Sequence, residues 1–299
     1  MIISASRRTD IPAFYSDWFM RRIQQQYCLC VNPYNRRQVT RVSLRPEDVD
    51  ALVFWTKNAG PLLPRLQELD DQGYRYYFHY TLNGYGEPFE PNLPELDRCI
   101  ETFLLISERV GPERVIWRYD PVIFSSQTSV AYHQQRFGYI LERLQTATRR
   151  IMISIVDEYR KAKLNFKRLQ AQGLSIQTDY SAEQLASLCT FMSEQAGRMN
   201  ISVYSCAESL NLKPFGILPG RCIDGELIHR LFGVLIKAGK DRSQRKECGC
   251  LQSKDIGVYD TCLHGCTYCY AGTLQSGLRN RLRHSSEAPQ LLGEAFSNN

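Results

Sequence analysis

The sequence predicts an α/β protein folded as a single TIM-type or partial (β/α) barrel. Short apolar runs of strand character alternate with longer segments of helical periodicity, and most of the strand runs are apolar at successive positions. Repeated strand–helix units favour parallel strands with helical crossovers, and continuously apolar strands are typical of a sheet buried on both faces. With 299 residues, 43% of them hydrophobic, the chain is long enough to bury a full core.

The individual elements follow from these patterns. Strands are predicted at residues 2–6, 51–56, 74–82, 114–119, 151–156, 201–205 and 256–259. Helices are predicted at residues 13–26, 60–72, 94–110, 130–148, 158–172, 182–199, 224–238 and 272–283. Residues 27–44 interrupt the alternation, and the turn sequence Asn32-Pro-Tyr-Asn in their middle predicts a hairpin inserted after the first helix.

Three parts of the chain are expected. Residues 1–247 form the barrel body with the hairpin at about 27–44, residues 248–285 form a C-terminal segment that completes the barrel, and residues 286–299 form a loose tail. The chain has no apolar run near the roughly 20 residues that span a bilayer, and its start does not resemble a secretory signal. We therefore expect a cytoplasmic protein without a membrane partner.

The charge of the chain says little about its partners. The net charge of +6 is spread along the sequence without a polybasic block. Such a charge permits nucleic-acid binding but does not indicate it, and most of the charged residues are expected to be solvated surface.

Five of the 11 cysteines lie between residues 248 and 269, and three of them form the motif on which the functional prediction depends. Cys262, Cys266 and Cys269 are separated by three and then two residues, so one short loop aims three thiolates at a compact inorganic centre. An iron–sulfur cube held by three thiolates keeps one iron free for a chelating molecule, and Gly265 lets the loop wrap tightly around it.

Other uses of the cysteines stay open. Cys248 and Cys250 could complete a four-ligand zinc site with the loop, hold a second metal, or be free thiols beside it. Disulfides are disfavoured because clustered cysteines in a chain without a signal peptide indicate metal binding or catalysis. Cys28 and Cys30 share one face of the predicted hairpin, where we expect small buried hydrophobes.

Polar residues at the ends of the predicted strands form the candidate active-site rim. In barrels of this type the reacting groups project from the carboxyl ends of the strands. Arg118 at such an end offers a planar fork for a carboxylate, whereas Lys57 offers a point charge. Asp157 and Glu208 are the predicted anionic partners of Arg118. The residues at these ends are Ser4, Ser6, Arg7, Arg8, Thr9, Asp10, Thr56, Lys57, Asn58, His79, Tyr80, Thr81, Arg118, Tyr119, Asp120, Asp157, Glu158, Arg160, Cys206 and Glu208.

Two resemblances follow from these residues. The segments Ser4-Ala-Ser-Arg-Arg-Thr-Asp-Ile-Pro, Val53-Phe-Trp-Thr-Lys-Asn, Val115-Ile-Trp-Arg-Tyr-Asp-Pro, Cys206-Ala-Glu, Cys222-Ile-Asp and Cys248-Gly-Cys, together with the cysteine loop, closely resemble the domain-of-unknown-function family 1848 over nearly the whole chain. The loop Cys262-x-His-Gly-Cys-x-Tyr-Cys-Tyr-Ala resembles that of radical S-adenosylmethionine enzymes, most of all the spore photoproduct lyase branch.

The second resemblance implies a cofactor set and a reaction type. It implies a 4Fe-4S cluster on the three loop cysteines, S-adenosylmethionine bound to the open iron, an electron donor, and a 5′-deoxyadenosyl radical that acts on an unknown substrate, either a small molecule or a macromolecule. The candidate cofactor-binding residues are Arg8, Asp10, Arg118 and Tyr268. The candidate catalytic residues are Arg118, Lys57, Asp10 and Glu208.

This sequence departs from the familiar enzymes of that group in one respect. Their cysteine loop follows the first strand, whereas here it lies near residue 265. A circularly permuted barrel reconciles the two orders, and it predicts that residues 6–10 lie beside the cysteine loop. The alternative function is a zinc- or cluster-stabilised protein that binds or processes nucleic acid through Arg7, Arg8, Arg36 and Arg37. In a third reading the cluster serves only electron transfer or structure.

Overall fold

A computed structural model of the chain describes residues 1–157, 159–177 and 180–293. Its strands are β1 (Ile2–Ala5), β2 (Tyr27–Val31), β3 (Val39–Ser43), β4 (Ala51–Thr56), β5 (Tyr76–Thr81), β6 (Val115–Val122), β7 (Arg150–Ile155), β8 (Ser202–Cys206), β9 (Leu218–Gly220) and β10 (Lys254–Asp255). Its helices are α1 (Ile11–Phe14), α2 (Ser16–Gln25), α3 (Leu66–Asp71), α4 (Leu96–Val110), α5 (Val130–Leu144), α6 (Arg160–Ala171), α7 (Ala182–Arg198), α8 (Gly225–Phe232) and α9 (Leu274–Arg281).

One large parallel sheet organises the fold. Eight strands pair in the order β10-β1-β4-β5-β6-β7-β8-β9, and each of these ladders is parallel. The predicted α/β class is confirmed. Among the described residues no ladder joins β9 to β10, so the structure shows an eight-stranded parallel sheet flanked by helices rather than a hydrogen-bonded barrel.

The two faces of the sheet carry different packing partners. Alternate residues of a strand point to opposite faces, so Ile3 and Phe54 join the main core with the helices. Ile2 and Val53, one residue before each, pack instead in a second cluster with residues of α8 and with Cys248 and Cys250. These two cysteines therefore lie against the sheet, although residues 245–247 just before them are exposed.

The predicted elements are largely present, with shifts that have local causes. The predicted helix at 13–26 is divided at Tyr15, and the helix predicted at 224–238 ends at Phe232, because Gly233 adopts a φ of 70° and caps it. β9 was not predicted because its three residues include Pro219, which breaks the strand pattern. The predicted strand at 256–259 is observed at Lys254–Asp255, two residues earlier.

The predicted hairpin is confirmed as the antiparallel pair β2–β3. Cys28 is buried within the main core, as expected for a small hydrophobe, whereas Cys30 is only partly buried against that core; their sulfurs are 3.9 Å apart. No helix in the described part of the chain is long and apolar enough to cross a membrane.

The C-terminal segment returns to the start of the chain. β10 pairs with β1, and α9 follows the cysteine loop. The described part of the predicted tail is packed rather than loose: Trp18 Nε1 donates to the carbonyl of Ala288 at 2.9 Å, and Leu29 N donates to that of Pro289 at 2.8 Å. Residues 294–299 lie outside the described residues.

Candidate functional site

A cavity of about 720 Å³ opens at the carboxyl ends of the parallel strands. Residues that follow β1, β4, β6, β7 and β8 line it, together with the hairpin and the cysteine loop. Every cysteine of the chain is a free thiol. Among the described residues, eight cysteines line this cavity: Cys30, Cys206, Cys222, Cys248, Cys250, Cys262, Cys266 and Cys269.

Asp255 joins the cysteine segment to the first strand. Its Oδ2 accepts hydrogen bonds from Ser4 Oγ at 2.7 Å and Arg7 N at 2.9 Å, and its Oδ1 accepts one from Ser6 Oγ at 2.6 Å. Arg8 lies 5.1 Å over the ring of Tyr259, in the same segment. The prediction that residues 6–10 lie beside the cysteine loop is therefore confirmed.

The three loop cysteines lie together in the cavity wall. Gly265 has a φ of 72°, which allows the sharp turn between Cys262 and Cys266. Burial, followed by the charge of Asp10 and of the neighbouring thiolates, raises the pKa of Cys262. Burial also raises the pKa of Cys266, to about 12. Without a metal the thiols of Cys262 and Cys266 stay protonated at neutral pH, and a bound metal would displace their protons.

A buried hydrogen-bond network holds the loop against the strand ends. His264 Nε2 lies 2.8 Å from Asp10 Oδ2, which also accepts from Lys57 N at 2.7 Å. Asp10 Oδ1 caps α1 by accepting from Ala13 N at 3.0 Å. Asp10 therefore positions the loop, β4 and α1, and its oxygens are occupied by protein donors.

A second network surrounds Lys57 beside Cys266. Lys57 Nζ donates to Glu90 Oε1 at 2.7 Å, and the Tyr268 hydroxyl donates to the same oxygen. Burial opposes the charging of Lys57, but the charges of Glu90 and then Cys266 outweigh it and raise its pKa. Burial likewise opposes the ionisation of Glu90, but the positive charge of Lys57 outweighs the effect of burial and lowers the pKa of the Glu90 carboxyl. The pair is charged at neutral pH.

Arg118 reaches the cavity as predicted, but the predicted partners are wrong. Its Nη2 donates to Asp120 Oδ2, and its Nη1 lies 2.8 Å from Cys222 Sγ. Asp157 pairs instead with Arg245. Arg118 and Asp120 stand two residues apart on β6, where side chains share one face, and this proximity decides the pairing.

Among the candidate catalytic and cofactor-binding residues, Glu208 is the one that does not line the cavity. Of the other predicted rim residues, Ser4, Asn58, His79, Tyr80 and Tyr119 do not line it either, while Glu158 and the side chain of Arg160 lie outside the described residues. Glu208 Oε2 accepts from Ile155 N at 3.2 Å and its Oε1 from Ser209 N at 3.0 Å. Both carboxylate oxygens of Glu208 therefore bond backbone N–H groups, one of them at the end of β7, so its role in the structure is to hold the backbone. Arg8, Asp10, Lys57, Arg118, Tyr268 and the three loop cysteines all line the cavity.

Four further cysteines in the same wall come from separate parts of the chain. Cys206 ends β8, Cys222 follows β9, and Cys248 and Cys250 lie on the loop before β10. The sulfurs of Cys206 and Cys222 are 3.3 Å apart. Sequence analysis missed this group, which we call the cysteine quartet, because only the folded sheet brings its members together.

Among the described residues, no three His, Cys, Asp or Glu side chains are arranged to hold a single metal ion as they stand. Each thiolate of an iron–sulfur cube binds a different iron, so the ligands of a cube are spread more widely than those of one ion. Three loop thiols in one cavity, with the half-buried cation of Lys57 beside Cys266, form a donor set that fits such a cube.

The fold and the site define an α/β protein whose cavity, at the carboxyl ends of a parallel sheet, is lined by cysteines. The chain belongs to the family described as Domain of unknown function (DUF1848), whose model matches residues 2–271. No curated protein matches the chain. Among solved structures it is similar to a putative alpha-L-fucosidase from Bacteroides thetaiotaomicron VPI-5482, with 11% identity over 80% of this chain and 85% of that one. The TM-score is 0.27, so this similarity carries no argument.

Proposed function

We propose that this protein is a radical S-adenosylmethionine enzyme with a 4Fe-4S cluster on Cys262, Cys266 and Cys269. The observation that supports this proposal best is that the three cysteines of the C-x3-C-x2-C loop line one cavity with the polar ends of the parallel strands. When bound and reduced by one electron, the cluster would supply the electron that cleaves S-adenosylmethionine into methionine and a 5′-deoxyadenosyl radical, and that radical would take a hydrogen atom from an unknown substrate. An external electron donor is required.

The protein's own residues would position these groups. The ammonium of Lys57, paired with Glu90, would be the cation next to the Cys266 thiolate and would orient the charged pair toward the cluster. Glu90 and Tyr268 hold the ammonium in place through one shared oxygen. The bond between His264 and Asp10 fixes the loop between Cys262 and Cys266.

Arg8 is the best-placed cation for the carboxylate of S-adenosylmethionine. Its Nη1 is 3.5 Å from the carbonyl of Gly257, and its Nε is 4.0 Å from Asp255, so both contacts are weak. The guanidinium of Arg118 is already engaged by Asp120 and Cys222. We therefore propose that Arg8 binds the carboxylate of S-adenosylmethionine and that Arg118 holds Asp120 and Cys222 in the cavity wall.

We also propose that the sheet is a partial barrel with a circularly permuted strand order. β10 feeds the cysteine loop, α9 follows, and the spatial neighbour of β10 is β1. This is the strand–loop–helix–strand order of the familiar enzymes, with the chain divided between the helix and the next strand. Residues of β1 such as Ile2 pack inside with α8 and the quartet, as a barrel interior would require.

The alternative nucleic-acid function draws less support from the structure. Arg36 and Arg37 are exposed on the hairpin, whereas Arg7 and Arg8 are half-buried in the cavity, and Arg7 stacks 5.2 Å from the ring centre of Trp55. The four arginines therefore do not form one phosphate-binding surface. A cytoplasmic location also stays part of the proposal, and the free thiols along the chain are in keeping with a reducing compartment.

The test is anaerobic reconstitution with iron and sulfide. We expect about four irons per chain on the loop, broad visible iron–sulfur absorption, and formation of 5′-deoxyadenosine from S-adenosylmethionine when dithionite is added. Cys266→Ala should abolish all three, whereas Cys99→Ala, a buried cysteine of α4 outside the cavity, should abolish none. The proposal fails if the unmutated protein takes up zinc at the loop and shows no iron–sulfur absorption.

A further inference from the structure

We propose that the cysteine quartet, Cys206, Cys222, Cys248 and Cys250, is a second metal site that binds one thiophilic ion such as zinc. The site is separate from the three-cysteine loop and does not depend on the function proposed for that loop. Its members come from the end of β8, the turn after β9 and the loop before β10. Cys222, Cys248 and Cys250 are buried in one cluster, and Cys206 packs against it.

Hydrogen bonds to sulfur are the first observation that indicates a ligand. Cys250 Sγ accepts from the backbone N–H groups of Cys222 at 3.3 Å and Ile223 at 3.4 Å. Cys222 Sγ accepts from Arg118 Nη1 at 2.8 Å. A thiol sulfur is a weak acceptor, whereas a metal thiolate is anionic, and N–H groups directed at its sulfur stabilise it. The sulfurs of Cys222 and Cys250 therefore accept N–H hydrogen bonds of the kind that stabilise a metal-bound thiolate.

Positive charge in the wall is the second observation. Four thiolates around a divalent ion carry a net charge of −2, which needs compensation in a buried site. Arg118 is 8% exposed and touches Cys222 directly. Arg7 lines the same cavity, and its Nη2 is a buried donor without a hydrogen-bond partner among the described residues. Asp241, 3.9 Å from Nη1 of Arg7, leaves that donor free for a further anion.

The geometry favours a single ion over a cube. A tetrahedral zinc with bonds of about 2.3 Å places its sulfurs about 3.8 Å apart. The sulfurs of Cys206 and Cys222 are 3.3 Å apart, close to that value and too close for ligands of different irons. Cys250 Sγ already lies against the backbone of Cys222, and because its loop has no regular helix or strand, small side-chain rotations of Cys248 and Cys250 would bring the four sulfurs around one ion.

The experiment removes the first site and asks whether a second remains. In a chain with Cys262, Cys266 and Cys269 all changed to Ala, we expect one zinc per chain by mass spectrometry of the desalted protein. Cobalt in place of zinc should give the sulfur-to-metal absorption of a tetrahedral thiolate site. Adding Cys222→Ser should weaken zinc binding at least tenfold, whereas Cys30→Ser, a thiol that lines the same cavity outside the quartet, should not change it.

Two results would overturn the inference. One is a folded triple variant that binds neither zinc nor cobalt although its thiols are fully reduced. The other is zinc binding that Cys222→Ser leaves unchanged. If Cys222→Ser does not fold, alkylation of the triple variant decides: zinc must protect the four quartet cysteines, mapped by mass spectrometry, and leave Cys30 reactive.

Discussion

The cavity joins two groups of cysteines that are built in opposite ways. Cys262, Cys266 and Cys269 come from one short loop, and their spacing alone places them together. The quartet is assembled from segments up to 44 residues apart, and only the pairing of β8 with β9 and the packing of a loop on the sheet bring it together. The first group is close together in sequence, whereas the second group comes together only when the sheet has formed. The two should therefore respond differently to substitutions.

The largest effect is expected from Gly257→Ala, which should disturb the contact between the cysteine loop segment and β1 without affecting the quartet. A Cβ at Gly257 would lie 2.1 Å from Ser6 Oγ and 2.6 Å from its Cβ, so Gly257→Ala must push Ser6 off Asp255. We expect the free energy of unfolding to fall by roughly 3 kcal/mol, and iron uptake at the loop to fall while zinc uptake by the quartet is kept. Denaturant melts and metal analysis measure both.

Gly239→Ala is the control for that variant, because no heavy atom lies within 4 Å of its new Cβ. Equal iron uptake by the two glycine variants would mean that the junction at Asp255 does not support the loop.

The converse substitution is Arg118→Lys, which keeps the charge but cannot bond Asp120 and Cys222 together. We expect a loss of about 1 to 2 kcal/mol in zinc binding by the quartet, with full iron uptake at the loop. Competition with a chelator measures the zinc affinity. Arg98→Lys, on the exposed face of α4, is the matched control. Loss of iron with unchanged zinc affinity would reverse the assignment of Arg118.

The smallest expected effect concerns His133, which contributes to the stability of the fold and belongs to neither group of cysteines. His133 bonds Tyr119 OH through Nδ1 at 2.8 Å and the Ile123 carbonyl through Nε2 at 2.9 Å, and burial lowers its pKa to about 4. The unfolded histidine takes up a proton near its ordinary value of 6.5, so the stability that the neutral folded form contributes is lost as pH falls toward 4.

Between pH 7 and 5.5 the loss is about 1 kcal/mol, and His133→Gln should remove it. Urea melts at the two pH values measure the difference, with the exposed His229→Gln as control. An identical pH dependence in the unmutated protein and His133→Gln would show that this histidine is protonated equally in both states.

The fold class, most of the elements and the neighbourhood of the loop could be predicted because they depend on local periodicity and on the order of strands. β9 could not, since three residues with a proline give no periodic signal. Glu90 was missed for another reason: it lies in an irregular connection between β5 and α4, where no pattern indicates which side chain turns inward.

The partner of Arg118 could have been predicted and was not. Asp120 follows at the second position of the same strand, where period-two alternation places both side chains on one face. Asp157 and Glu208 lie at the ends of other strands, and the prediction that they pair with Arg118 overlooked the nearer carboxylate of Asp120. The quartet is different in kind, because its sequence separations give no local signal and its assembly requires the whole sheet.

The pairing of β1 with β10 also bears on the order in which the protein matures. Ile3 pairs with Lys254, so about 250 residues must be synthesised before this edge of the sheet is complete. Until then the outer edge of β1 has open backbone donors and acceptors, a template for pairing with another chain. Cysteines of the loop emerge last of all. If the loop binds the proposed cluster, that metal could lock the sheet edge only after the loop itself has been synthesised, so metal binding would follow the folding of the rest of the sheet.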